Sequence, residues 1–264
     1  MEDKLANVKP KKHLGQHFLK DENIAFKIVE ALKNEQQLPV LEIGPGTGVL
    51  TKYLIAQEGV ELYALDVDKE SIEYLKSNYP SNADQFLFQD YLKYDVPFEK
   101  FNVIGNFPYN ISSQLFFKIW DDRDKVEEVV CMIQKEVADR ICATHGNKTY
   151  GILSVLLQAF YDIEYLFKVA PGVFNPPPKV QSAVIRLKRN SVSKLSCDEK
   201  LFKRVVKAGF GKRRKTLRNA LKDLNLSDSV NALDMLNQRA EQLSVQEFIS
   251  LTEKISEDGG SNDF

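Results

Sequence analysis

Short apolar runs, rich in β-branched and aromatic residues, alternate with segments of helical periodicity between residue 22 and about residue 160. The runs predict five strands, at residues 39–43, 60–65, 85–89, 101–106 and 126–133. The other segments predict helices near residues 22–34, 48–57, 68–78, 112–120 and 134–144. Strands that alternate with helices in this way predict a parallel sheet covered by helices on both faces.

The pattern changes beyond residue 160. Residues 162–170 and 180–188 are two further strand-like segments, and the proline-rich loop PGVFNPPP joins them with no helix between. An antiparallel pair that completes the sheet fits this arrangement. After Asn190 the sequence becomes helical, and the pattern predicts helices near residues 198–208, 213–223, 228–236 and 244–256.

These patterns together predict the fold class and the domain organisation. We expect an α/β fold with a doubly wound, mostly parallel, seven-stranded sheet and a small all-helical C-terminal domain. The predicted divisions are residues 1–190 for the sheet domain, 191–256 for the helical domain and 257–264 for a disordered tail.

Composition narrows the class of protein. The chain has 264 residues, of which 43% are hydrophobic, but no apolar run approaches the roughly 20 residues of a membrane helix. The N-terminus lacks the apolar core of a signal peptide. The three cysteines have no metal-ligand spacing, and their odd number argues against a disulfide framework. We therefore expect a monomeric, cytoplasmic protein with no membrane segment and no bound metal.

Charge is nearly balanced overall, with a formal net charge of −1, but its distribution along the chain is uneven. Residues 200–222, KLFKRVVKAGFGKRRKTLRNALK, contain ten Lys or Arg residues and no acid. A solvated helix face explains many such runs, whereas apolar residues between the charges also fit helices that bind nucleic acid on one side. Both interpretations remain open at this point.

A glycine-rich turn, LEIGPGTGVLT (41–51), follows the first predicted strand and opens a helix. In a doubly wound sheet this is the turn at which the backbone approaches a nucleotide, and Asp66 ends the next strand where a carboxylate can accept from ribose hydroxyls. The dinucleotide-binding fingerprint GxGxxG would need its third glycine at residue 49, but this residue is Val49. A purely structural turn is the alternative.

Two further polar residues end strands at the same predicted edge. Asp90 ends the third strand, where it can accept from an adenine amino group, and Asn106 ends the fourth. An acidic crevice would repel a pyrophosphate but suits a cationic nucleoside. S-adenosylmethionine, with its sulfonium and ammonium groups, is therefore the cofactor that we predict.

The tetrapeptide Asn-Phe-Pro-Tyr (106–109) would lie at the edge of this crevice. The side-chain oxygen of Asn106 and the carbonyl of Pro108 are placed to accept hydrogen bonds from an adenine amine that becomes positive as it is methylated. Tyr109 offers a flat face for a flipped base. The alternative is an ordinary loop that happens to contain aromatic residues.

Six motifs together resemble the ribosomal RNA adenine dimethyltransferases, and more narrowly the kasugamycin-sensitivity family that acts on small-subunit rRNA. The motifs are HLGQHFL (13–19), EIGPGTGVLT (42–51), GNFPYNIS (105–112), QKEVADR (134–140), VFNPPPKVQSAVIRL (173–187) and FGKRRKTLRNAL (210–221). The resemblance covers about residues 9–255. It implies a Rossmann-like class I methyltransferase domain that dimethylates two adjacent adenines in the 3′-terminal hairpin loop of 16S rRNA, late in subunit assembly.

The resemblance also implies residue roles. The implied cofactor contacts are His17, Leu19, Gly44, Asp66, Asp90 and Asn106. The target base would stack between Tyr109 and Phe174, and catalysis would rest on Asn106, Pro108 and Tyr109. The implied RNA contacts, with the small ribosomal subunit as partner, are Lys212, Arg213, Arg214, Lys215 and Arg218. One departure is His17, where the family often has Asn.

Three other classes of protein share parts of this pattern. A macrolide-resistance dimethylase acting on large-subunit rRNA has the same signature and architecture, but PPPKVQSAVIRL and GKRRKTLRNAL favour the small-subunit family. A non-catalytic RNA-binding assembly factor would keep the fold, but it would not need Asn106 together with Asp66 and Asp90. An NAD-dependent oxidoreductase would need hydride-transfer residues that do not accompany the glycine loop.

Overall fold

The structure is a computed structural model that describes residues 8–257. Its strands are β1 (Phe18–Leu19), β2 (Val40–Ile43), β3 (Leu62–Asp66), β4 (Phe86–Phe88), β5 (Phe101–Asn106), β6 (Val126–Gln134), β7 (Tyr161–Val169), β8 (Phe174–Asn175) and β9 (Ser182–Arg189). Its α-helices are α1 (Glu22–Ala31), α2 (Thr51–Ala56), α3 (Lys69–Asn78), α4 (Ser112–Asp121), α5 (Lys135–Cys142), α6 (Ile152–Gln158), α7 (Glu199–Gly211), α8 (Leu217–Ala220), α9 (Asp228–Asn231) and α10 (Val245–Glu257). Apart from residue 257, the predicted tail lies outside the described residues.

Seven strands form one sheet in the order β4-β3-β2-β5-β6-β9-β7. The strands from β4 to β6 in this order run parallel to their neighbours, and β9 is antiparallel to β6. Every apolar run predicted as a strand forms one, with ends within two residues of the prediction. The strands before and after the proline-rich loop are neighbours at one edge of the sheet. The predicted fold class is confirmed.

The central strands are mostly apolar because both of their faces are covered. All four residues of β2 and five of the six in β5 are buried. On one face, Ile28 and Val29 of α1 lie in the same core cluster as Ile104 of β5 and Val130 of β6. Strands buried on both faces give continuous apolar runs instead of an alternating pattern, which is how the sequence reads here.

Helices α1 and α3 begin at capping aspartates. Asp21 accepts a hydrogen bond from the backbone N–H of Ile24 at 3.0 Å, and Asp68 accepts one from Glu70 at 3.1 Å. Each carboxylate satisfies an N–H group that the first turn of a helix leaves unpaired. No helix within residues 8–257 has the length and apolarity needed to cross a bilayer.

The contacts divide the chain into two compact units. Among the described residues, one unit comprises 8–138 together with Ile163–Arg189, and the other comprises Asp139–Asp162 together with 190–257. Residues 139–162 thus group with the C-terminal segment, whereas the boundary predicted from the sequence after residue 190 assigned them to the sheet domain. That boundary stays a prediction.

The second unit is helical and has its own core. Helix α6, which the sequence patterns did not predict, contacts α7 and α10. Its residues 153–157 are all buried. The ring of Phe210 lies 6.0 Å from Tyr150 and 5.9 Å from Phe248, measured between centroids. An apolar helix surrounded by other helices shows no polar face, which explains why periodicity did not reveal it.

Two predicted helices of this unit are shorter than expected. The predicted helix at 213–223 is a turn at 212–215, the four-residue helix α8 and a 3₁₀-helix at Lys222–Leu224. The predicted helix at 228–236 is α9 followed by a 3₁₀-helix at Asp234–Asn237. The guanidinium of Arg213 donates to the backbone carbonyls of Lys148 and Tyr150, so tertiary contacts hold this segment out of a helix.

Candidate active site

A cavity lies at the carboxyl ends of β2 and β5, where the chain order of the sheet reverses direction. Ligands bind at this point in open α/β sheets because the connections from neighbouring strands diverge there. Its lining residues come from the N-terminal segment, the glycine loop, the end of β3 and the Asn-Phe-Pro-Tyr motif. They are Leu14, Gly15, Gln16, His17, Phe18, Gly44, Gly46, Asp66, Val67, Asn106, Phe107, Pro108 and Tyr109.

The glycine loop presents bare backbone to the cavity. Gly44 and Gly46 have φ values of +70° and +55°, in the region that favours glycine. A Cβ atom on Gly46 would lie 2.9 Å from the ring of Phe18. Behind the loop, the hydroxyl of Thr51 donates to the buried carboxyl of Glu42 at 2.7 Å, and burial raises the pKa of Glu42 to about 8.

Asp66 is the acidic group of the cavity. One carboxylate oxygen accepts from the backbone N–H of Gly46 at 3.3 Å, and the other accepts from the N–H of Asp68 at 2.8 Å. The residue is only 7% exposed, and this burial raises its pKa to about 6, although the backbone N–H groups act in the opposite direction. Asp66 is therefore ionised at neutral pH and has lone pairs left to accept from a ligand.

The amide of Asn106 has a defined orientation. Its nitrogen donates to the backbone carbonyl of His17 at 2.9 Å, which leaves the side-chain oxygen without a hydrogen-bond partner within residues 8–257. The carbonyl of Pro108 accepts from the N–H of Ile111 at 3.3 Å and retains a second lone pair. Two acceptors are thus available at the end of β5.

The ring of Tyr109 is half-buried at the same edge. Its hydroxyl is hydrogen-bonded to the hydroxyl of Ser182, and its ring centroid lies 5.2 Å from that of His17. The Nδ1 atom of His17 lies 2.7 Å from the carbonyl oxygen of Pro176. Both aromatic rings are thereby fixed, and burial raises the pKa of the Tyr109 phenol so that it stays neutral.

The structure brings six of the predicted catalytic and cofactor-binding residues to this cavity. They are His17, Gly44, Asp66, Asn106, Pro108 and Tyr109. Leu19 does not line the cavity, because its side chain is 3% exposed and lies in the hydrophobic core. Asp90 does not line it either, and one of its oxygens accepts from the N–H of Leu92 at 3.0 Å.

Phe174 is placed differently from the expectation that it stacks on the target base. Its side chain is fully buried in the core cluster that also contains Leu19, and the two residues pair in a short antiparallel ladder. A ring in this position offers no surface to a base. The stacking role of Phe174 stays a prediction.

Sequence reasoning missed several residues that organise the site. Lys11 and Gln16 contact the carboxylate of Asp68 at 2.6 Å and 3.1 Å, and Ser182 anchors Tyr109. Gln16 and Ser182 lie inside motifs quoted above. A second carboxylate two residues after Asp66 was the available signal for Asp68.

The predicted RNA-binding residues divide into two groups. Three of them already have partners within the protein. Lys212 forms an ion pair with Asp223 at 2.9 Å, and Arg213 donates to the carbonyls of Lys148 and Tyr150. Arg218 donates to the side chain of Asn237 at 3.0 Å and to the carbonyl of Asn231. Arg214 and Lys215 lie exposed on the turn before α8, and their side chains make no ion pair within residues 8–257. These two cations remain available to an anionic partner.

The donor and acceptor set fits S-adenosylmethionine. The cradle of Gly44 and Gly46 admits a ligand that side chains would exclude, and the ionised Asp66 can accept from two ribose hydroxyls. Backbone and side-chain oxygens outnumber cations among the lining residues, which suits a cationic ligand and disfavours a phosphate. No group of three or more His, Cys, Asp or Glu residues is placed to hold a metal within residues 8–257.

Solved structures show related architecture. A dimethyladenosine transferase from Plasmodium falciparum superposes with a TM-score of 0.77 at 27% identity, over 92% of this chain and 98% of that one. The 23S rRNA methyltransferase ErmE superposes with a TM-score of 0.63 at 22% identity, over 89% of this chain and 99% of that one. The second likeness shows the shared fold alone.

Related sequences identify the family more specifically than the solved structures do. Proteins named ribosomal RNA small subunit methyltransferase A are 57% identical over 256 residues in Cytophaga hutchinsonii and 54% identical over 259 residues in Flavobacterium johnsoniae. The first alignment covers 96% of this chain and 99% of the relative, and the second covers 97% and 99%. A family model described as ribosomal RNA adenine dimethylase matches residues 7–257. The chain therefore belongs to the ribosomal RNA adenine dimethylase family of S-adenosylmethionine-dependent methyltransferases.

Proposed function

We propose that this protein dimethylates the exocyclic amines of two adjacent adenines in the 3′-terminal hairpin loop of 16S rRNA. In this proposal it is a cytoplasmic monomer that acts on the small ribosomal subunit during assembly. The observation that carries the proposal is the unpaired side-chain oxygen of Asn106, which lines the same cavity as Asp66. The name shared by the relatives supports the choice of the small subunit.

In this proposal the cofactor occupies the cavity between the glycine loop and the N-terminal segment. Asp66 accepts from the ribose hydroxyls, the backbone of Gly44 lies against the cofactor, and His17 contributes through its backbone and ring. When bound, S-adenosylmethionine would supply an electrophilic methyl group, whose bond to sulfur breaks as the adenine nitrogen bonds to carbon, and the nitrogen would then lose a proton to solvent. The resemblance also implies that Asp90 and Leu19 contact the cofactor. Asp90 would have to rearrange to do so, and Leu19 would have to rearrange or contact the cofactor through its backbone.

Asn106 and Pro108 activate the amine. The lone pair of an adenine amine is delocalised into the ring, so the amine is a poor nucleophile until it becomes pyramidal. Two oxygen acceptors, the side-chain oxygen of Asn106 and the carbonyl of Pro108, favour that geometry and stabilise the positive charge that develops on nitrogen. The acceptors bind the transition state more tightly than the ground state, which is the requirement for catalysis.

Tyr109 holds the target base. The hydroxyl of Ser182 fixes the ring, so stacking costs little side-chain entropy when a base arrives. Because Phe174 is buried in this conformation, a second stacking surface from that residue requires β8, which contains it, to move away from β1. Arg214 and Lys215 contact RNA phosphates from the second unit.

The test is a methylation map of 16S and 23S rRNA from cells with and without the gene, together with transfer of labelled methyl groups to purified subunits. We expect loss of two dimethyladenosines from 16S rRNA alone, and transfer to unmethylated small subunits. Modification of 23S rRNA would instead assign the protein to the large subunit. Unchanged maps combined with no transfer would favour a non-catalytic assembly factor.

A further inference from the structure

Asp68 is a buried carboxylate that no step of the proposed reaction uses. Its side chain is fully buried, and three donors surround it. Lys11 donates from Nζ at 2.6 Å, Gln16 donates from Nε2 at 3.1 Å, and the backbone N–H of Glu70 donates at 3.1 Å. A helix cap needs only the last of these, so the other two contacts require a separate explanation.

Lys11 and Gln16 belong to the N-terminal strap, which we define as residues 11–18. Residues 14–18 of the strap form one wall of the cofactor cavity. The strap closes on itself through the N–H of Lys11, which donates to the side-chain oxygen of Gln16 at 2.8 Å. It is also held beyond its far end, where β1 pairs with β8 and the N–H of Lys20 donates to the carbonyl of Val173 at 2.8 Å.

The strap connects both functional sides of the cavity. On one side Asp68 holds it, and the N–H of Asp68 also donates to the carboxylate of Asp66 at 2.8 Å. On the other side the carbonyl of His17 accepts from the amide of Asn106 at 2.9 Å. A shift of the strap therefore disturbs the predicted ribose-binding acid and the predicted catalytic amide together.

We propose that Asp68 is a positioning residue for cofactor binding, and that it acts by fastening the N-terminal strap over the cavity through Lys11 and Gln16. The ion pair between Lys11 and Asp68 is a charge-assisted hydrogen bond that is largely shielded from solvent. The carboxylate is fully buried, and the lysine side chain is 28% exposed. Glu70, 3.3 Å from the same ammonium group, adds a second but more exposed acid. The proposal rests on the placement of S-adenosylmethionine in this cavity.

In physical terms, the contact with Asp68 shifts the population of the N-terminal strap toward the fastened state. A strap that is fastened in the free protein presents a finished wall to the cofactor, whereas a loose strap lowers the competent fraction and the apparent affinity in proportion. Loosening the strap also opens the exit for a bound cofactor. Dissociation should therefore accelerate more than any other step.

The test compares three variants of the full-length protein by calorimetry and stopped-flow binding of S-adenosylmethionine. Lys11→Met removes the charge and keeps the apolar stem, and Asp68→Asn keeps an oxygen to cap α3. Each should raise the dissociation rate and the Kd by about tenfold or more, since each removes the charge-assisted hydrogen bond between Lys11 and Asp68. Lys11→Arg should restore both quantities. The double variant of Lys11→Met and Asp68→Asn should be no worse than Asp68→Asn alone, because Lys11 fastens the strap through Asp68.

Asp198→Asn is the matched control. Asp198 caps α7 by accepting from the N–H of Leu201 at 2.6 Å and belongs to the second unit. This variant should lose a comparable capping charge without changing cofactor binding. In the free protein, hydrogen exchange of the amides of Leu14 and Gly15, which donate to strap carbonyls at 3.1 Å and 3.0 Å, should accelerate in Lys11→Met and not in the control.

Three results would overturn the proposal. They are wild-type binding kinetics in a folded Lys11→Met variant, failure of Lys11→Arg to restore them, and an equal loss in Asp198→Asn. Asp66→Ala separates this inference from the placement of the cofactor. If that variant also binds S-adenosylmethionine normally, the placement itself is wrong, whereas a defect in Asp66→Ala alone refutes only the role of the strap.

Discussion

The raised pKa of Asp66 predicts that cofactor affinity falls steeply in mildly acidic solution. Burial brings this pKa to about 6 in the free protein, and a protonated carboxyl cannot accept hydrogen bonds from two ribose hydroxyls as a carboxylate does. If only the ionised form binds, the apparent Kd rises by about tenfold between pH 7 and pH 5. Glu42, with a pKa of about 8, stays protonated across this window and adds no titration of its own.

The variant Asp66→Asn isolates the effect. It keeps one acceptor of the same shape and has no proton to gain, so its Kd should be higher at pH 7 and nearly constant down to pH 5. Isothermal calorimetry of the free protein with S-adenosylmethionine measures both constants directly. Any dependence on pH that survives in the variant belongs to other groups, and subtracting it leaves the contribution of Asp66.

Thermal stability supplies an independent check with the opposite sign. A carboxyl whose folded pKa is raised holds its proton more tightly in the native state, so the free protein loses stability from this group as pH rises from about 4 to about 6. Asp66→Asn should therefore lack this loss of stability between about pH 4 and about pH 6. A wild-type Kd that does not change between pH 7 and pH 5 refutes the reasoning, and so does an Asp66→Asn variant that keeps the full pH dependence.

Three further predictions concern catalysis, RNA and packing. Asn106→Ala should slow single-turnover methyl transfer by about 10- to 150-fold at saturating S-adenosylmethionine, because it removes an acceptor from a developing charge, and a wild-type rate would exclude that role. Changing Arg214 and Lys215 together to Glu should weaken binding to small subunits and leave cofactor affinity unchanged. The slope of the logarithm of the binding constant against the logarithm of salt concentration should fall in magnitude by about two, and an unaltered slope would mean that these cations are only solvated. Gly105→Ala should lower the free energy of unfolding by about 1–3 kcal/mol in urea titrations, because its Cβ would lie 2.4 Å from a carbonyl oxygen of β2. Gly172→Ala, whose Cβ meets nothing within 4 Å, should be close to neutral, and equal losses in the two variants would contradict the packing argument.

The sheet was predictable because its information is local. Each buried strand is an apolar run bounded by turn residues, and polar residues at the strand ends indicate the ligand-binding edge. For this reason Asp66 and Asn106 could be assigned to one crevice before the structure was known. Helix α6 escaped prediction for the converse reason, since a helix buried on all sides carries no alternation of polar and apolar positions.

The contacts that complete the site were not predictable because they join distant segments. Lys11 and Asp68 are 57 residues apart, and Tyr109 and Ser182 are 73 apart. Phe174 shows the same limit, because its ring is buried beside Leu19, whereas the family resemblance implied that it would stack on the target base. Motif resemblance identifies such residues but does not say what they touch.

The discontinuity of the second unit has a consequence for attempts to take the protein apart. Helix α6 precedes the last strands of the sheet in the chain, yet it packs against α7 and α10 from the C-terminal part of the chain, so no single cut separates the two units. A gene truncated after residue 190 would leave buried residues such as Leu153, Leu156 and Leu157 facing water. Such a fragment should aggregate or recruit chaperones when expressed. An independent helical module would have to be assembled from two pieces, for example by a circular permutation that joins residues 139–162 to the segment after Asn190.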